Sequence, residues 1–375
     1  YTLSGPEEEL LAASYEATQG AARIFNLFNN ADIRFPAIQD DQGNTVEITH
    51  GNFISLMESS SRRVRENAFR GLYSVYRQFA NTMAATYSAQ VKQAVYYARV
   101  RRYPSSLAHS LMENQIPVSV YHNLVETVRK NLPLLHRYVE LRRRTLNLPE
   151  IHLYDLYVPM VEGSRKSYSF EEAKAIVKEG LAPLGQEYLD IIQEGFDNRW
   201  IDVYENEGKR SGAYSWGIYG THPYVLLNFH GTLDHVFTLA HEMGHAIHSY
   251  YSDHSQNYTD AGYKIFVAEV ASTCNETLLI QHLLEKTQDK KEKKYLINHF
   301  LESFRATLFR QTMFAEFEAM AHEKTEAGET LTAQELCRIY HQLNVDYFGP
   351  KMQVDEEIDC EWERIPHFYT PFYVY

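Results

Sequence analysis

The spacing of apolar residues along the chain predicts a mainly helical protein. From Val64 to Val95, apolar side chains recur every three or four residues, which places them on one face of a long helix that ends near Pro104. A second helix is predicted to begin at Ser119, and Pro133 inside its pattern is expected to kink or end it. The pattern therefore favours packed helices over a fold based on sheets.

Local signals place further elements along the chain. Two helices are predicted to start at capping boxes, in which a Ser or Thr precedes a Glu by three residues. The pairs are Ser169 with Glu172 and Thr332 with Glu335. Residues 211–229 are rich in Gly, aromatic and β-branched residues, which predicts two short strands around a turn at residues 220–223. Helical periodicity then resumes at Leu233.

These elements predict a mainly α fold with a small antiparallel β element. No linker rich in Gly, Pro or Ser separates independent domains, and helical periodicity is weakest between residues 148 and 168. We therefore expect residues 1–150 to form one helical region and residues 151–375 to form a second region that carries the chemistry. The apolar, aromatic residues 372–375 lead us to expect a fragment of a longer protein.

Composition excludes several classes of protein. Apolar residues make up 44% of the chain, which rules out a disordered protein, and 36 basic against 49 acidic residues give a net charge of −13, which disfavours binding to nucleic acid. The sequence has no apolar run long enough for a bilayer and no secretory signal, so no membrane partner is expected. The scattered cysteines, Cys274, Cys337 and Cys360, are interpreted as reduced thiols of a cytoplasmic protein.

The most informative segment is His241-Glu242-Met-Gly-His245, on the helix predicted to follow Leu233. Residues four apart lie above one another on a helix, so His241 and His245 can direct two imidazoles, which are good zinc ligands, at one ion. Glu242 lies about 100° further round the helix. It can flank the ion without binding it, which suits a general base acting on zinc-bound water. The alternative is a pair of surface histidines on an amphipathic helix.

A catalytic zinc site needs a third protein ligand, and the next predicted helix offers one. Glu269 lies in an otherwise apolar turn, where a carboxylate is costly unless it is paired or binds a cation. Glu276 lies two turns further on the same face, either to orient a histidine or as an ordinary exposed carboxylate. His248 shares the stripe of His241 and is expected to be a structural histidine or a substrate contact.

These motifs resemble the oligoendopeptidase F group of zinc metallopeptidases, relatives of thimet oligopeptidase and neurolysin. The resemblance rests on four stretches, 212–217, 239–249, 266–276 and 364–375. It implies His241, His245 and Glu269 as the ligands of one zinc ion per chain and Glu242 as the catalytic base. It also implies a helical zincin-type fold that closes a deep channel, which admits short peptides and excludes folded proteins.

The same resemblance implies that His367 and nearby tyrosines stabilise the tetrahedral intermediate. O–H or N–H donors near the scissile carbonyl would share the negative charge that develops there. We expect His367 and Tyr375 to be these donors, and Tyr369 and Tyr373 to contact substrate. Packing in the core or at its rim is the alternative for each tyrosine.

The stretch Gly212-Ala213-Tyr214 is expected to form a sheet edge that hydrogen-bonds the backbone of an extended peptide, unless it is an ordinary edge without a ligand. Members of the family usually carry a further N-terminal segment and continue past the residue that matches Tyr375. The chain is therefore expected to lack both an N-terminal segment and a C-terminal tail.

The sequence thus predicts a zinc-dependent endopeptidase acting on short peptides. One alternative is a non-catalytic relative that only binds peptides, against which the intact Glu242 argues. The other is a di-metal carboxylate oxidoreductase, which would need a second Glu-x-x-His element on a core helix. The only other such pattern is Glu47-Ile-Thr-His50, in a stretch that predicts a strand or turn.

Overall fold

The computed structural model describes residues 2–161, 167–206, 209 and 212–373. In chain order the α-helices are α1 (Gly5–Thr18), α2 (Gly20–Leu27), α3 (Phe53–Met57), α4 (Arg62–Val100), α5 (Ser106–Glu113), α6 (Val118–Thr145), α7 (Phe170–Gly180), α8 (Gln186–Asp197), α9 (Leu233–Ser255), α10 (Ile265–Lys286), α11 (Lys290–Ser303), α12 (Arg310–Glu326) and α13 (Ala333–Phe348). The strands are β1 (Ala37–Gln39), β2 (Thr45–Glu47), β3 (Ile151–His152), β4 (Ile201–Asp202), β5 (Tyr214–Trp216), β6 (Tyr224–Leu226) and β7 (Met352–Gln353). Short 3-10 helices span Leu153–Asp155, Ala182–Leu184, Glu356–Arg364 and Pro366–Tyr369, and π-helical turns span Phe28–Asp32 and Phe304–Phe309.

The chain divides into two compact units. The first comprises residues 1–160 and 303–375, and the second comprises residues 161–302. This division differs from the expected boundary at residue 150, because the stretch 303–375 returns to the first unit and buries apolar side chains of α12 and α13 in its core. The second unit contains both helices on which the metal ligands were expected.

Helix α4 is the central element of the first unit. Its predicted span from Val64 to the neighbourhood of Pro104 is confirmed, and most of the apolar stripe is buried. Val75 is only partly buried, and Phe79 is 38% exposed and packs edge-to-face on Phe28. Each step of four residues rotates the next side chain by about 40° around the helix axis. Apolar residues spaced by four therefore do not all face the same neighbouring element.

Pro133 was expected to kink or end its helix; α6 continues through Pro133, so the end is wrong. A proline inside a helix costs about 3 kcal/mol. Leu132 and Leu135, beside it, are both buried. Burial contributes about 1.5–3 kcal/mol for each such side chain, which offsets the cost of the proline.

The capping signals are confirmed at one helix and half confirmed at another. Ser169 and Glu172 form the complete box at the start of α7, with hydrogen bonds in both directions. At α13, Thr332 accepts a hydrogen bond from the backbone N–H of Glu335. The carboxylate of Glu335 does not reach back, because it pairs with Arg338 at 2.7 Å.

The second unit contains a three-stranded sheet with the strand order β4-β6-β5. The predicted antiparallel pair around residues 220–223 is confirmed as β5 and β6. Strand β4, which runs parallel to β6, was not predicted, because two residues carry no periodic signal. Every helix in the described ranges is too short or too polar to cross a bilayer.

Candidate active site

Helices α9 and α10 pack closely and antiparallel in the second unit. The buried Asn275 side chain donates a hydrogen bond from Nδ2 to the carbonyl of Ala240 at 2.9 Å, which ties α10 to α9. One turn along, Gly244 faces the backbone of α10, and a Cβ atom there would lie 2.7 Å from Ser272 Cα. Only a glycine allows the two backbones to approach this closely.

Three expected metal ligands meet across this helix pair. His241 Nε2 and His245 Nε2 lie 3.2 Å apart, and Glu269 Oε2 lies 3.4 Å from each of them. A tetrahedral zinc ion with bonds of about 2.0–2.2 Å holds its ligand atoms about 3.3–3.5 Å apart. The three side chains therefore fit one zinc ion without rearrangement.

The charge of Glu269 also suits a cation. The contact with His245 is the main reason why the pKa of Glu269 falls to about 2, although burial acts in the opposite direction. Ser272 Oγ adds a hydrogen bond of 2.8 Å to Oε2. The carboxylate of Glu269 is thus ionised at neutral pH, and the hydroxyl of Ser272 on the same helix holds it in place.

Glu276 lies behind His241, where its carboxylate contacts the other ring nitrogen. The distance from Oε1 to His241 Nδ1 is 2.5 Å. Burial opposes a charged imidazole, but the hydrogen bond and charge of Glu276 outweigh it and raise the pKa of His241. A carboxylate on Nδ1 fixes the tautomer that leaves Nε2 free to bind a metal.

We expect Glu276→Gln to weaken zinc binding by about tenfold, because it removes the charge that orients His241 and increases its basicity. Competition with a chromophoric chelator measures the affinity. Glu285→Gln, at an exposed position of the same helix, is the matched control. Equal zinc affinities for the two variants would contradict the role of Glu276 in orienting His241.

Glu242 is nearly buried, with 6% of its surface exposed. Its Oε2 atom has no hydrogen-bond partner within the described residues. Burial is the main cause that raises the pKa of Glu242, and the charges of His241 and His245 act in the opposite direction. A buried carboxylate with an unpartnered oxygen beside two histidines can accept a proton and return it.

His248 stacks on Tyr263, with ring centroids 3.8 Å apart. Burial and the nearby His245 lower the pKa of His248, so the ring is neutral at neutral pH. Tyr263 also contacts Ser249 Oγ through its hydroxyl at 3.0 Å. The sequence analysis missed Tyr263, because it lies in the loop between the helices and no periodic pattern marks it.

The predicted peptide-binding edge lies beside α9. Gly212 has a left-handed backbone (φ +87°), and Asn228 Nδ2 donates to its carbonyl at 2.8 Å. Tyr214 lies on β5, an outer strand of the sheet, and is exposed. A cavity of about 350 Å³ runs between Gly212, Ala213 and Thr238 of α9, one turn before His241.

His367, one of the two expected C-terminal donors, belongs to the first unit. His367 stacks on Tyr373 with ring centroids 5.5 Å apart, and its buried Nδ1 lacks a hydrogen-bond partner in the part of the chain that is described. Burial, with a contribution from Arg310, lowers the pKa of His367. Tyr369 stacks at 4.2 Å on the buried Phe25, which corresponds to the packing alternative. Tyr375 lies outside the described residues.

The C-terminal segment is anchored by Glu318, which the sequence analysis also missed. Phe372 has a left-handed backbone (φ +53°), and its N–H donates to Glu318 Oε1 at 2.7 Å. The Phe372 ring packs in an apolar cluster with Leu107, Leu111 and Tyr121. An acidic residue between the apolar positions of α12 was the signal that could have identified this anchor.

Glu318 should make stability depend on pH. Burial raises its pKa from 4.5 to about 8, so between these values the folded chain keeps a proton that the unfolded chain loses. Stability therefore falls as pH rises through this window. We expect Glu318→Gln, whose carbonyl can still accept from Phe372, to show a shallower fall in denaturant unfolding from pH 5 to 8. The exposed Glu323→Gln of the same helix should keep the wild-type slope, and an unchanged slope in Glu318→Gln would refute the prediction.

The remaining Glu-x-x-His pattern does not form a second metal element. Glu47 lies in strand β2, and His50 Nε2 contacts the carbonyl of Asn29 at 3.0 Å. The only groups of three or more His, Cys, Asp or Glu with metal-ligand spacing in the described ranges are His241 with His245 and Glu269, and Cys337 with Cys360 and Glu363. The helical di-metal site is therefore not supported.

Comparison with known proteins gives matches that cover the whole chain. A family model described as peptidase family M3 matches residues 55–375. Oligopeptidase PepF of Bacillus subtilis is 53% identical over 375 residues, which are all of this chain and 56% of that protein. Group B oligopeptidase PepB of Streptococcus agalactiae is 44% identical over all of this chain and 62% of its own length.

Among solved structures, the crystal structure of oligoendopeptidase-F from Enterococcus faecium is similar, with a TM-score of 0.80 and 41% identity. The match covers 99% of this chain and 60% of that one. The chain thus spans little more than half the length of the relatives that it matches.

Proposed function

This chain belongs to peptidase family M3, and on that basis we propose that it carries the active site of a zinc-dependent endopeptidase that hydrolyses short peptides. Membership of this metallopeptidase family implies a metal cofactor. The observation that carries the proposal is the triangle of His241 Nε2, His245 Nε2 and Glu269 Oε2, with sides of 3.2, 3.4 and 3.4 Å.

His241, His245 and Glu269 would hold one zinc ion. When bound, zinc supplies Lewis acidity, which polarises the peptide carbonyl and makes water easier to deprotonate. Glu276 and Ser272 act on the ligands: Glu276 holds the ring of His241 through Nδ1, and Ser272 holds Oε2 of Glu269. These contacts keep the donor atoms in place before a substrate arrives.

Glu242 would be the general base and then the general acid. Its carboxylate takes a proton from the attacking water and passes it to the nitrogen of the leaving amine. Burial raises its pKa, which makes the carboxylate a stronger base than an exposed glutamate. The intact Glu242 is the reason to prefer a peptidase over a relative that only binds peptides.

The substrate would bind as an extended strand beside β5, with backbone contacts from residues 212–214. The cavity between this segment and α9 supports that placement. His367 and Tyr375 would donate hydrogen bonds to the developing oxyanion, and Tyr373 would contact the peptide. Tyr369 would contact the peptide as well, although its ring also stacks on Phe25.

Relatives of this chain are named oligopeptidases, which favours short peptides as substrates. The cysteines at 274, 337 and 360 are free thiols, in keeping with the cytoplasmic location that we propose.

A series of quenched fluorescent peptides of increasing length tests the function. We expect cleavage of the short peptides and not of a folded protein, complete loss of cleavage with a zinc chelator, and recovery when zinc is restored. Binding without cleavage would favour the non-catalytic relative. Cleavage that persists without metal would overturn the proposed mechanism.

A further inference from the structure

A second cluster of metal-ligating side chains lies in the first unit, and the peptidase mechanism does not use it. Cys337 lies on α13, and Cys360 and Glu363 lie on the 3-10 helix Glu356–Arg364. One sulfur atom from each cysteine and one carboxylate oxygen lie within 4.8 Å of one another. Two thiols and a carboxylate are donor types that zinc accepts.

Glu363 provides an independent reason to expect a ligand. The residue is 1% exposed, and among the residues that the structure describes its carboxylate contacts no hydrogen-bond donor other than the thiol of Cys360. A buried carboxylate with only a thiol as donor is costly unless it carries a proton or faces a cation. Its position beside two sulfur atoms makes a cation a fitting partner.

The local charges balance when one divalent cation is present. Two thiolates and one carboxylate carry three negative charges. The guanidinium of Arg77 lies beside Cys360 and contributes one positive charge. One Zn²⁺ ion supplies the other two, so the three ligands together with Arg77, whose side chain is half exposed, reach a net charge of zero.

A metal ion can also reach the cluster of Cys337, Cys360 and Glu363. Cys360 is buried, but Cys337 is only partly buried, so an ion can enter from the side of α13. Once bound, the ion would join α13 to the 3-10 helix Glu356–Arg364. This helix leads directly into the segment that carries His367, so the ion would stabilise the base of the C-terminal stretch.

We propose that Cys337, Cys360 and Glu363 provide three ligands of a second zinc site, which is separate from the ligands on α9 and α10. The site does not depend on the proposed peptidase function. It adds one thiolate-bound ion per chain to the single ion of the active site.

Cobalt substitution tests the site without any assay of activity. Thiolate ligands give bound Co²⁺ an intense near-ultraviolet charge-transfer band, and no thiol is among the proposed active-site ligands. With a phosphine reductant present, we expect the chain to bind two Co²⁺ ions and to show this band. Cys337→Ser and Cys360→Ser should each abolish the band, whereas Cys274→Ser, which removes an exposed thiol, should keep it. His245→Ala should lose one ion and keep the band.

A measurement on the unaltered chain guards against variants that fail to fold. Zinc at buffered, trace free concentration should slow the alkylation of Cys337 and Cys360 by about tenfold or more and leave Cys274 unaffected. Absence of the thiolate band, a band that survives Cys337→Ser, or equal alkylation with and without zinc would each overturn the proposal. Quantitative formation of a Cys337–Cys360 disulfide in the presence of zinc would overturn it as well.

Discussion

Glu242→Gln is expected to lower kcat by about a thousandfold while the chain keeps its metal. The glutamine has the shape of the glutamate, so packing beside His241 is preserved, but an amide cannot take a proton from water. Metal content and peptide turnover are measured on the same sample. Retained metal with lost turnover separates the base from the ligands.

Two variants sharpen this result. Glu242→Asp keeps the acid but withdraws it by one methylene, so we expect an intermediate loss, since a misplacement of about 1 Å can cost about a hundredfold. Glu285→Gln removes an exposed carboxylate of α10 and should turn over peptide at the wild-type rate. Near-normal turnover in Glu242→Gln would overturn the assignment of the base.

The metal triangle could be expected from sequence because its geometry is mostly local. His241 and His245 are one helical turn apart, and a helix fixes that spacing without any tertiary contact. Glu269 was identifiable because a carboxylate in an apolar turn requires a partner. Glu276 was a candidate because it lies two turns further on the same face, and its carboxylate contacts Nδ1 of His241.

The missed features depend on contacts between residues distant in the chain. Glu318 becomes notable only when α12 packs against the segment that holds Phe372. Cys337 and Cys360 looked like scattered thiols, because nothing local shows that α13 and the 3-10 helix bring their sulfur atoms together. Composition and periodicity do not contain this information.

The fold shows the same limit. Helix α4 follows from its apolar stripe, but the continuation of α6 through Pro133 depends on what Leu132 and Leu135 pack against. Local propensity alone favours an end there. Tertiary burial reverses that preference, as it commonly does when the two differ by a few kcal/mol.

We expect Gly244→Ala to weaken zinc binding by about a hundredfold or more, although the residue touches no metal ligand atom. The new Cβ would lie 2.7 Å from Ser272 Cα and 2.9 Å from the carbonyl oxygen of Ala271, both backbone atoms of α10. Backbone atoms cannot move aside as a side chain can, so the two helices must separate. Ligand distances in a zinc site tolerate only about 0.2 Å.

The helix propensities of alanine and glycine exclude a weaker helix as the cause of a lower zinc affinity. Alanine favours a helix over glycine by about 1 kcal/mol, so a loss of zinc affinity in Gly244→Ala must come from the spacing of α9 and α10 and not from a weaker helix. Gly262→Ala, in the loop between the same helices, is the matched control, because nothing lies within 4 Å of its added Cβ. Chelator competition gives both affinities, and excess zinc should restore part of the turnover of Gly244→Ala. Wild-type zinc affinity in Gly244→Ala would show that the approach of the two backbones does not hold Glu269 against the histidines.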